Sequence, residues 1–172
     1  ARLLLDTVPA GIDAYDPANA VVFAVGPITH TTVPGNSRAC VASKSPLTGL
    51  FFDSTFGGRF PATMKRTGFD AIVITGCSAE PVYLRITEDG AELRPARSLW
   101  GQTVRDTVHA IQSAEGADVD VMAIGPAGEH AVRYATISHD GRPAGRGGSD
   151  AVLGSKNLKA VAVRGTPRWE GG

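Results

Sequence analysis

The stretch His139–Gly148, HDGRPAGRGG, places Arg142 and Arg146 among four glycines and runs directly into SDAVLGSK, which reads as a short helix. These residue types suit an anion. A guanidinium is planar and permanently charged, and it matches phosphate oxygens with two bonds at a time. Glycine lets backbone N–H groups approach such oxygens closely, and the start of a helix presents N–H groups that have no intrahelical partner. Asp53–Arg59, DSTFGGR, offers a weaker version, with the hydroxyls of Ser54 and Thr55 ahead of Gly57 and Gly58. An ordinary surface turn accounts for either segment equally well, and the residues alone leave both readings open. Asp53 and Asp150 would repel a bare anion, so they fit a phosphate-bound cation or simple helix-start charges. Neither segment is a GxxxxGK[ST] phosphate loop or a GxGxxG turn after a strand.

Other constellations are poor. His30, His109, His130 and His139 have no spacing that implies a metal, and Cys40 and Cys77 make no CxxC pair. The two cysteines read as buried free thiols of a reducing compartment. Glu129–His130 and Asp53 could exchange protons, but they read more simply as turn or cap residues. His109 falls beside the apolar face of a helix, as a structural or solvent-facing residue. On residues alone the chain is a binding module more than a complete enzyme.

Short strands must position these segments. Arg2–Asp6, Ala20–Gly26, Arg38–Lys44, Phe69–Gly76, Pro81–Thr87, Asp118–Gly125, Ala131–Asp140 and Leu158–Gly165 are apolar or alternating runs bounded by turn residues. Asp89-Gly90 turns the chain into AELRPA as a hairpin. Thr103 with Asp106 caps a helix whose Val104, Val108 and Ile111 share one face. Ala151–Lys156 is a further short helix. Many strands, three helices and no regular βαβ alternation give an α+β class.

The sequence also repeats itself. Phe23–His30 (FAVGPITH) resembles Met122–His130 (MAIGPAGEH), and Gly57–Gly76 resembles Gly147–Gly165 in the same order. Each half reads strand, Gly-Pro turn, strand, Gly-Gly, helix, strand. This predicts an internally duplicated domain with a pseudo-two-fold axis and two glycine-rich helix starts on a shared surface.

The 172 residues suffice for one domain with a core. With 17 basic and 17 acidic side chains the formal charge is zero, which argues against nucleic acid or a membrane surface as partner. No apolar run reaches the length of a membrane span, and no signal peptide is legible. Residues 1–166 form the expected domain, and 167–172, with Trp169, read as a linker or cut edge.

At Ser43–Gly49 (SKSPLTG), Gly145–Gly148 (GRGG) and Gly154–Gly165 (GSKNLKAVAVRG) the chain resembles the N-terminal domain of the aldehyde ferredoxin oxidoreductase family. Phe69–Ile86 and Ala123–Ile137 fit the same pattern, and the resemblance runs from about Leu3 to Gly165. It implies a duplicated α+β platform for a bis-molybdopterin cofactor of tungsten or molybdenum, with the two pterin phosphates linked through magnesium. Carried over by position, it implies cofactor contacts at Arg38, at Ser54, Thr55, Phe56, Gly57 and Gly58, and at Arg142, Pro143, Ala144, Gly145, Arg146 and Gly147. Thr55 and Ala144 fall at the magnesium. The chain departs from the family at Thr55 (asparagine there), at Phe56 (a small residue) and at Ser149–Asp150 (an apolar residue and glycine). The cysteines of a [4Fe–4S] cluster and the acid–base residues would lie in later domains, so this chain alone is expected to be inactive. The resemblance further implies aldehyde oxidation to a carboxylate in the cytoplasm. Its expected partners are the remaining domains of the enzyme and a ferredoxin or electron-transfer subunit, and a homodimer is allowed. The alternative is an assembly module that keeps the fold without the cofactor.

Overall fold

The computed structural model describes residues 1–166, so the expected linker at 167–172 lies outside the described residues. Ten strands form two sheets. In the first, β1 (Val21–Val25), β2 (Ala39–Lys44), β3 (Phe51–Phe56) and β4 (Ala71–Ile74) lie in the order β3-β2-β1-β4, all antiparallel. The second holds β5 (Val82–Thr87), β6 (Gly90–Pro95), β7 (Asp120–Ala123), β8 (Ile137–His139), β9 (Arg142–Ala144) and β10 (Leu158–Val163), in the order β6-β5-β10-β7-β8-β9. The β5–β10 pair is parallel. The helices are α1 (Arg2–Thr7), α2 (Phe60–Arg66), α3 (Val104–Glu115), α4 (Pro126–Glu129) and α5 (Ser149–Ser155). None of them is long and apolar enough to cross a membrane.

The topology repeats as the sequence does. The series β1, β2, β3, α2, β4 recurs as β7, β8, β9, α5, β10, and β3-β2-β1-β4 matches β9-β8-β7-β10. Even the register recurs. Phe23 faces Ile72 across β1–β4, and Met122, its counterpart in the repeat, faces Val161 across β7–β10. The halves also interlock, because α2 packs on β7 and β10 as well as β1, and α5 packs on β1 and β2 as well as β10.

Strand alternation divides the side chains. Val21 and Phe23 of β1, Val41 of β2, Met122 of β7 and Val161 and Val163 of β10 meet in one core shared by both sheets. The opposite face of the second sheet, with Val121, Ala123, Ala160 and Ala162, packs under α3 through Ile111. A strand buried on both faces reads as a near-continuous apolar run, as LKAVAV does apart from Lys159. At the centre, the Phe23, Phe56 and Phe60 rings meet edge-on or tilted at centroid separations of 5.9–6.5 Å.

Several expectations change. Arg2–Asp6 is the helix α1, not a strand. Three consecutive leucines are good helix formers and do not distinguish the two states, and Arg2 pairs with Asp6 one turn on at 2.8 Å. Only Ile137–His139 of the Ala131–Asp140 run is strand, because Ala131 takes a left-handed φ of +54° and a turn follows it. The strands β3 and β9 and the helix α4 were not expected. Cys40 is half-buried and Cys77 is exposed, so both thiols are free but the second is not buried. Thr103 caps α3 as expected, accepting from the Asp106 N–H at 3.2 Å.

Phe60 is fully buried at the junction of the halves. Phe60→Ala is expected to destabilise the domain by about 3–5 kcal/mol, read as a lower midpoint in urea denaturation.

Candidate functional site

A shallow pocket of about 360 Å³ opens where the two halves meet. From the first half it takes Ser37 and Arg38 ahead of β2, Thr55 and Phe56 at the end of β3, and Gly57 and Gly58 after it. From the second half it takes Arg142 and Pro143 of β9. Strand β3 lies against β9, which brings the two segments together across 80-odd positions of sequence. Among the described residues, the guanidiniums of Arg38, Arg142 and Arg146 have no hydrogen bond or ion pair. Other arginines are committed: Arg59 reaches Asp120, Arg85 reaches Glu92 and Glu115, and Arg164 reaches Asp118.

Local structure explains the placement. In β3 the residues alternate, so Asp53 and Thr55 face outward while Phe56 turns into the core. Gly57 and Gly58 then turn the chain into α2. A Cβ on Gly57 would meet only the Ser37 carbonyl, at 3.4 Å, and the Arg38 Cδ, at 4.0 Å. A Cβ on Gly58 would press on His139 at 3.1 Å and on the Arg142 Cδ at 3.3 Å. Ser37 Oγ donates to the Gly58 carbonyl at 2.6 Å and holds the turn against the Arg38 segment. The first amide of α2 is already used, since Phe60 N–H donates to His139 Nε2 at 3.2 Å. The Arg38 and Arg142 guanidiniums remain as donors at the pocket.

The second Gly-Gly pair behaves differently. Arg146, Gly147 and Gly148 are three consecutive residues in the left-handed region, at φ of +65°, +63° and +78°. The conformation costs a residue with a side chain about 1–2 kcal/mol, and such strain gathers at functional positions. A Cβ on Gly147 would lie 2.2 Å from the Phe52 ring, and one on Gly148 would lie 2.2 Å from the Arg133 carbonyl. Gly147 thus makes room for Phe52 of the first half, and Gly148 for the Arg133 backbone of its own half beside Pro46 of the first. Ser45 Oγ donates to the Gly147 carbonyl at 2.7 Å across the same seam. Arg146 is exposed, but it lies outside the lining of the pocket, as do Ser54, Ala144, Gly145 and Gly147. Ala144 is fully buried and pairs with Ile137.

Asp150 neither pairs with an arginine nor faces the pocket. It is buried against Gly128 of α4, near the ion pair that Lys159 makes with Glu129. Burial pushes its carboxyl up to about 8, against a smaller lowering by Lys159. Glu129, which the sequence presents as a turn residue, is itself buried and accepts from the Gly101 N–H at 2.8 Å. Lys159 also donates to the Gln102 carbonyl at 2.8 Å. This buried ionic cluster was not legible in the sequence, where a lysine inside LKAVAV reads as an outward residue. Among the described residues, no group of three or more histidine, cysteine or acidic side chains could hold a metal ion.

The profile of the aldehyde ferredoxin oxidoreductase N-terminal domain matches residues 1–165. The chain belongs to the aldehyde ferredoxin oxidoreductase family. It is 45% identical over 169 residues to the tungsten-containing aldehyde ferredoxin oxidoreductase of Pyrococcus abyssi, covering 97% of this chain and 28% of that protein. It is 32% identical over 169 residues to the aliphatic sulfonate oxidoreductase, WOR-like subunit, of Pyrococcus furiosus, covering 90% of this chain and 27% of that protein. Among solved structures, the BamBC active-site complex of benzoyl coenzyme A reductase with 1,5-dienoyl-CoA superposes at a TM-score of 0.93 with 40% identity, over 96% of this chain and 25% of that one. The chain thus spans little more than a quarter of the length of these relatives.

Two departures from the aldehyde ferredoxin oxidoreductase pattern now have physical content. Phe56 lines the floor of the pocket but keeps its ring in the aromatic core at 2% exposure. Asp150 sits in the core with its proton retained at neutral pH, so it adds little negative charge behind the glycine–arginine loop. In the unfolded chain this carboxyl titrates near 3.8 and in the folded chain near 8. Below the lower value both states hold the proton. Between the two values only the unfolded state releases it, so stability falls as pH rises, by up to about 1.4 kcal/mol per pH unit. Asp150→Asn is therefore expected to gain at least about 1 kcal/mol on the parent between about pH 5 and about pH 7. Paired urea denaturations at the two pH values measure it.

Proposed function

We propose that this chain is the cofactor-carrying N-terminal domain, residues 1–166, of a tungsten enzyme that oxidises aldehydes to carboxylates in the cytoplasm. The observation that carries the reading is the pocket at the seam, where Arg38, Thr55, Gly57 and Gly58 of one half meet Arg142 and Pro143 of the other, with both guanidiniums unspent. A cofactor with two similar phosphate-bearing halves fits a site whose donors come from two related halves of a fold. The residues present suit such a group: Arg38 and Arg142 as phosphate donors, the opening at Gly57 as the point of approach, and exposed Arg146 as an outer donor from its strained turn.

When bound, a bis-molybdopterin tungsten centre supplies the two-electron chemistry of the reaction. This chain contributes recognition and placement. Guanidiniums held on β-strand ends balance phosphate charge, and they need little rearrangement on binding. Thr55, outward on β3, would be the residue to offer a hydroxyl to a magnesium ion, and Ala144 would offer at most its backbone carbonyl. Acid–base groups, the [4Fe–4S] cluster and the contact with ferredoxin or an electron-transfer subunit belong to the remaining three quarters of the protein. The 45% identity to tungsten-containing aldehyde ferredoxin oxidoreductases, against 32% to the sulfonate enzyme, supports aldehydes as substrate.

In the full-length enzyme, Arg38→Ala and Arg142→Ala should each weaken cofactor binding by roughly ten- to a hundredfold, as loss of one charge-assisted hydrogen bond of about 1.5–3 kcal/mol requires. Apoprotein stability should stay unchanged, since neither side chain has a protein partner. Tungsten content per chain after dialysis, with pterin fluorescence, measures the loss. Full tungsten occupancy in both variants would place the cofactor elsewhere. Thr55→Asn should leave folding unchanged and slow cofactor loss in magnesium-containing buffer, because a planar amide carbonyl is the better cation ligand. An unchanged or faster loss would remove Thr55 from the magnesium site.

A further inference from the structure

The repeat supplies an internal standard for the second sheet. Asp120 and His139 stand where the first half has Val21 and Val41. Both valines are fully buried core residues, and Asp120 and His139 are buried as well, at 3% and 4% exposure. A carboxyl and an imidazole in place of two core valines are costly unless each finds partners. Thr63 Oγ1 donates to Asp120 at 2.6 Å, Arg59 Nε lies 3.3 Å from the same carboxylate, and His139 is bonded at both ring nitrogens. The ladder changes with the residues. Strands β1 and β2 pair from Val22 and Ala42 through to Val25 and Ala39, whereas β7 and β8 pair only at Ala123 and Ser138.

Where β7 and β8 part, a cleft of about 600 Å³ opens beside α3. Pockets for small molecules are of this size. Asp120 and His139 line it, fixed by their own partners. One wall is apolar. Val104 and Val108 belong to the stripe of α3 that continues to buried Ile111, yet here they are only half-buried. The remaining groups are donors. Arg105 and His109 lie one turn apart on α3, both exposed, and neither side chain has a hydrogen bond or ion pair among the described residues. Arg59 approaches Asp120 through Nε, and its terminal nitrogens donate no hydrogen bond among the described residues. The cleft shares no lining residue with the seam pocket.

We propose that this cleft binds a small organic monocarboxylate, with its charged end on Arg59, Arg105 and His109 and its apolar body against Val104 and Val108. A guanidinium matches the two oxygens of a carboxylate with parallel bonds. Asp120 is already answered by Thr63 and Arg59, so it does not cancel the donors on α3. Asp140, exposed at the rim, disfavours anions of higher charge. The first half, with Val21 and Val41 in an unbroken ladder, has no equivalent of these polar groups. The proposal does not depend on the cofactor reading.

Saturation-transfer NMR with butyrate on the natural full-length protein tests it. Saturable binding at about 1 mM is expected, the strength that a ligand of this size reaches. Arg105→Ala and His109→Ala should each weaken it by roughly tenfold, as loss of one charge-assisted hydrogen bond requires. Val108→Trp should abolish it by filling the cleft, and if that variant does not fold, the two exposed positions decide. Tungsten content should match the parent in Arg105→Ala and His109→Ala. No saturable binding, or equal binding in the parent and both variants, overturns the proposal. So does loss of tungsten together with butyrate, because the cleft would then serve the cofactor. Butanol binding as tightly as butyrate would make the site merely apolar, and displacement of butyrate by equimolar inorganic phosphate would make it a general anion site. Either result overturns the assignment to a carboxylate.

Discussion

The His139 imidazole is buried in β8 and bonded on both sides. Nδ1 lies 3.0 Å from the Val121 carbonyl of β7, and Nε2 accepts the Phe60 N–H that opens α2. One neutral tautomer meets both partners, with the proton on Nδ1. Its ring also packs on Phe60 at a centroid separation of 5.7 Å. This side chain of the second half thus fixes where the helix of the first half begins. The Gly57–Gly58 turn, the Arg142 stem that crosses it and the seam pocket all take their positions from that junction. Thr63 of α2 adds a second tie by donating to the buried Asp120 carboxylate at 2.6 Å.

The seam also explains a difference between two motifs that look alike in sequence. Both Gly-Gly pairs precede a seven-residue helix. One leaves space that opens to solvent between two arginines. The other is filled by Phe52 and Pro46 of the first half and by the Arg133 carbonyl of its own half, so its glycines serve internal packing. The spacing is common to both, and only the three-dimensional partner distinguishes a ligand-facing glycine from a packing glycine.

Much of the fold was legible because burial was one-sided or complete. The strands β1, β5, β7 and β10 are apolar runs between turn residues, and the repeat in sequence became a repeat in topology and register. What stayed hidden depended on tertiary partners. The strand β3 carries Asp53, Ser54 and Thr55, and polar residues on an outward face resemble a loop. Short β9 contains Pro143, which argues against a strand until its edge position is known. Lys159 lies inside a buried strand because Glu129 and the Gln102 carbonyl receive its charge, a match made across thirty and fifty-seven positions of sequence. For the site, Arg38, Thr55, Gly57, Gly58, Arg142 and Pro143 come together in one pocket. Arg146, singled out most strongly by its motif, stands apart from it in a strained turn.

The exchange of helices across the seam carries a historical consequence. Each half places its helix partly on the sheet of the other, so a single half on its own would leave the Phe23–Phe56–Phe60 cluster open to water. An ancestral polypeptide of one repeat could bury that surface only by pairing with a second copy, as a symmetric dimer with two identical arms around one axis. Gene duplication and fusion would join the two copies into one chain without altering the core. It would also free the two arms to diverge, until one offered a hydroxyl-bearing strand end and the other an arginine.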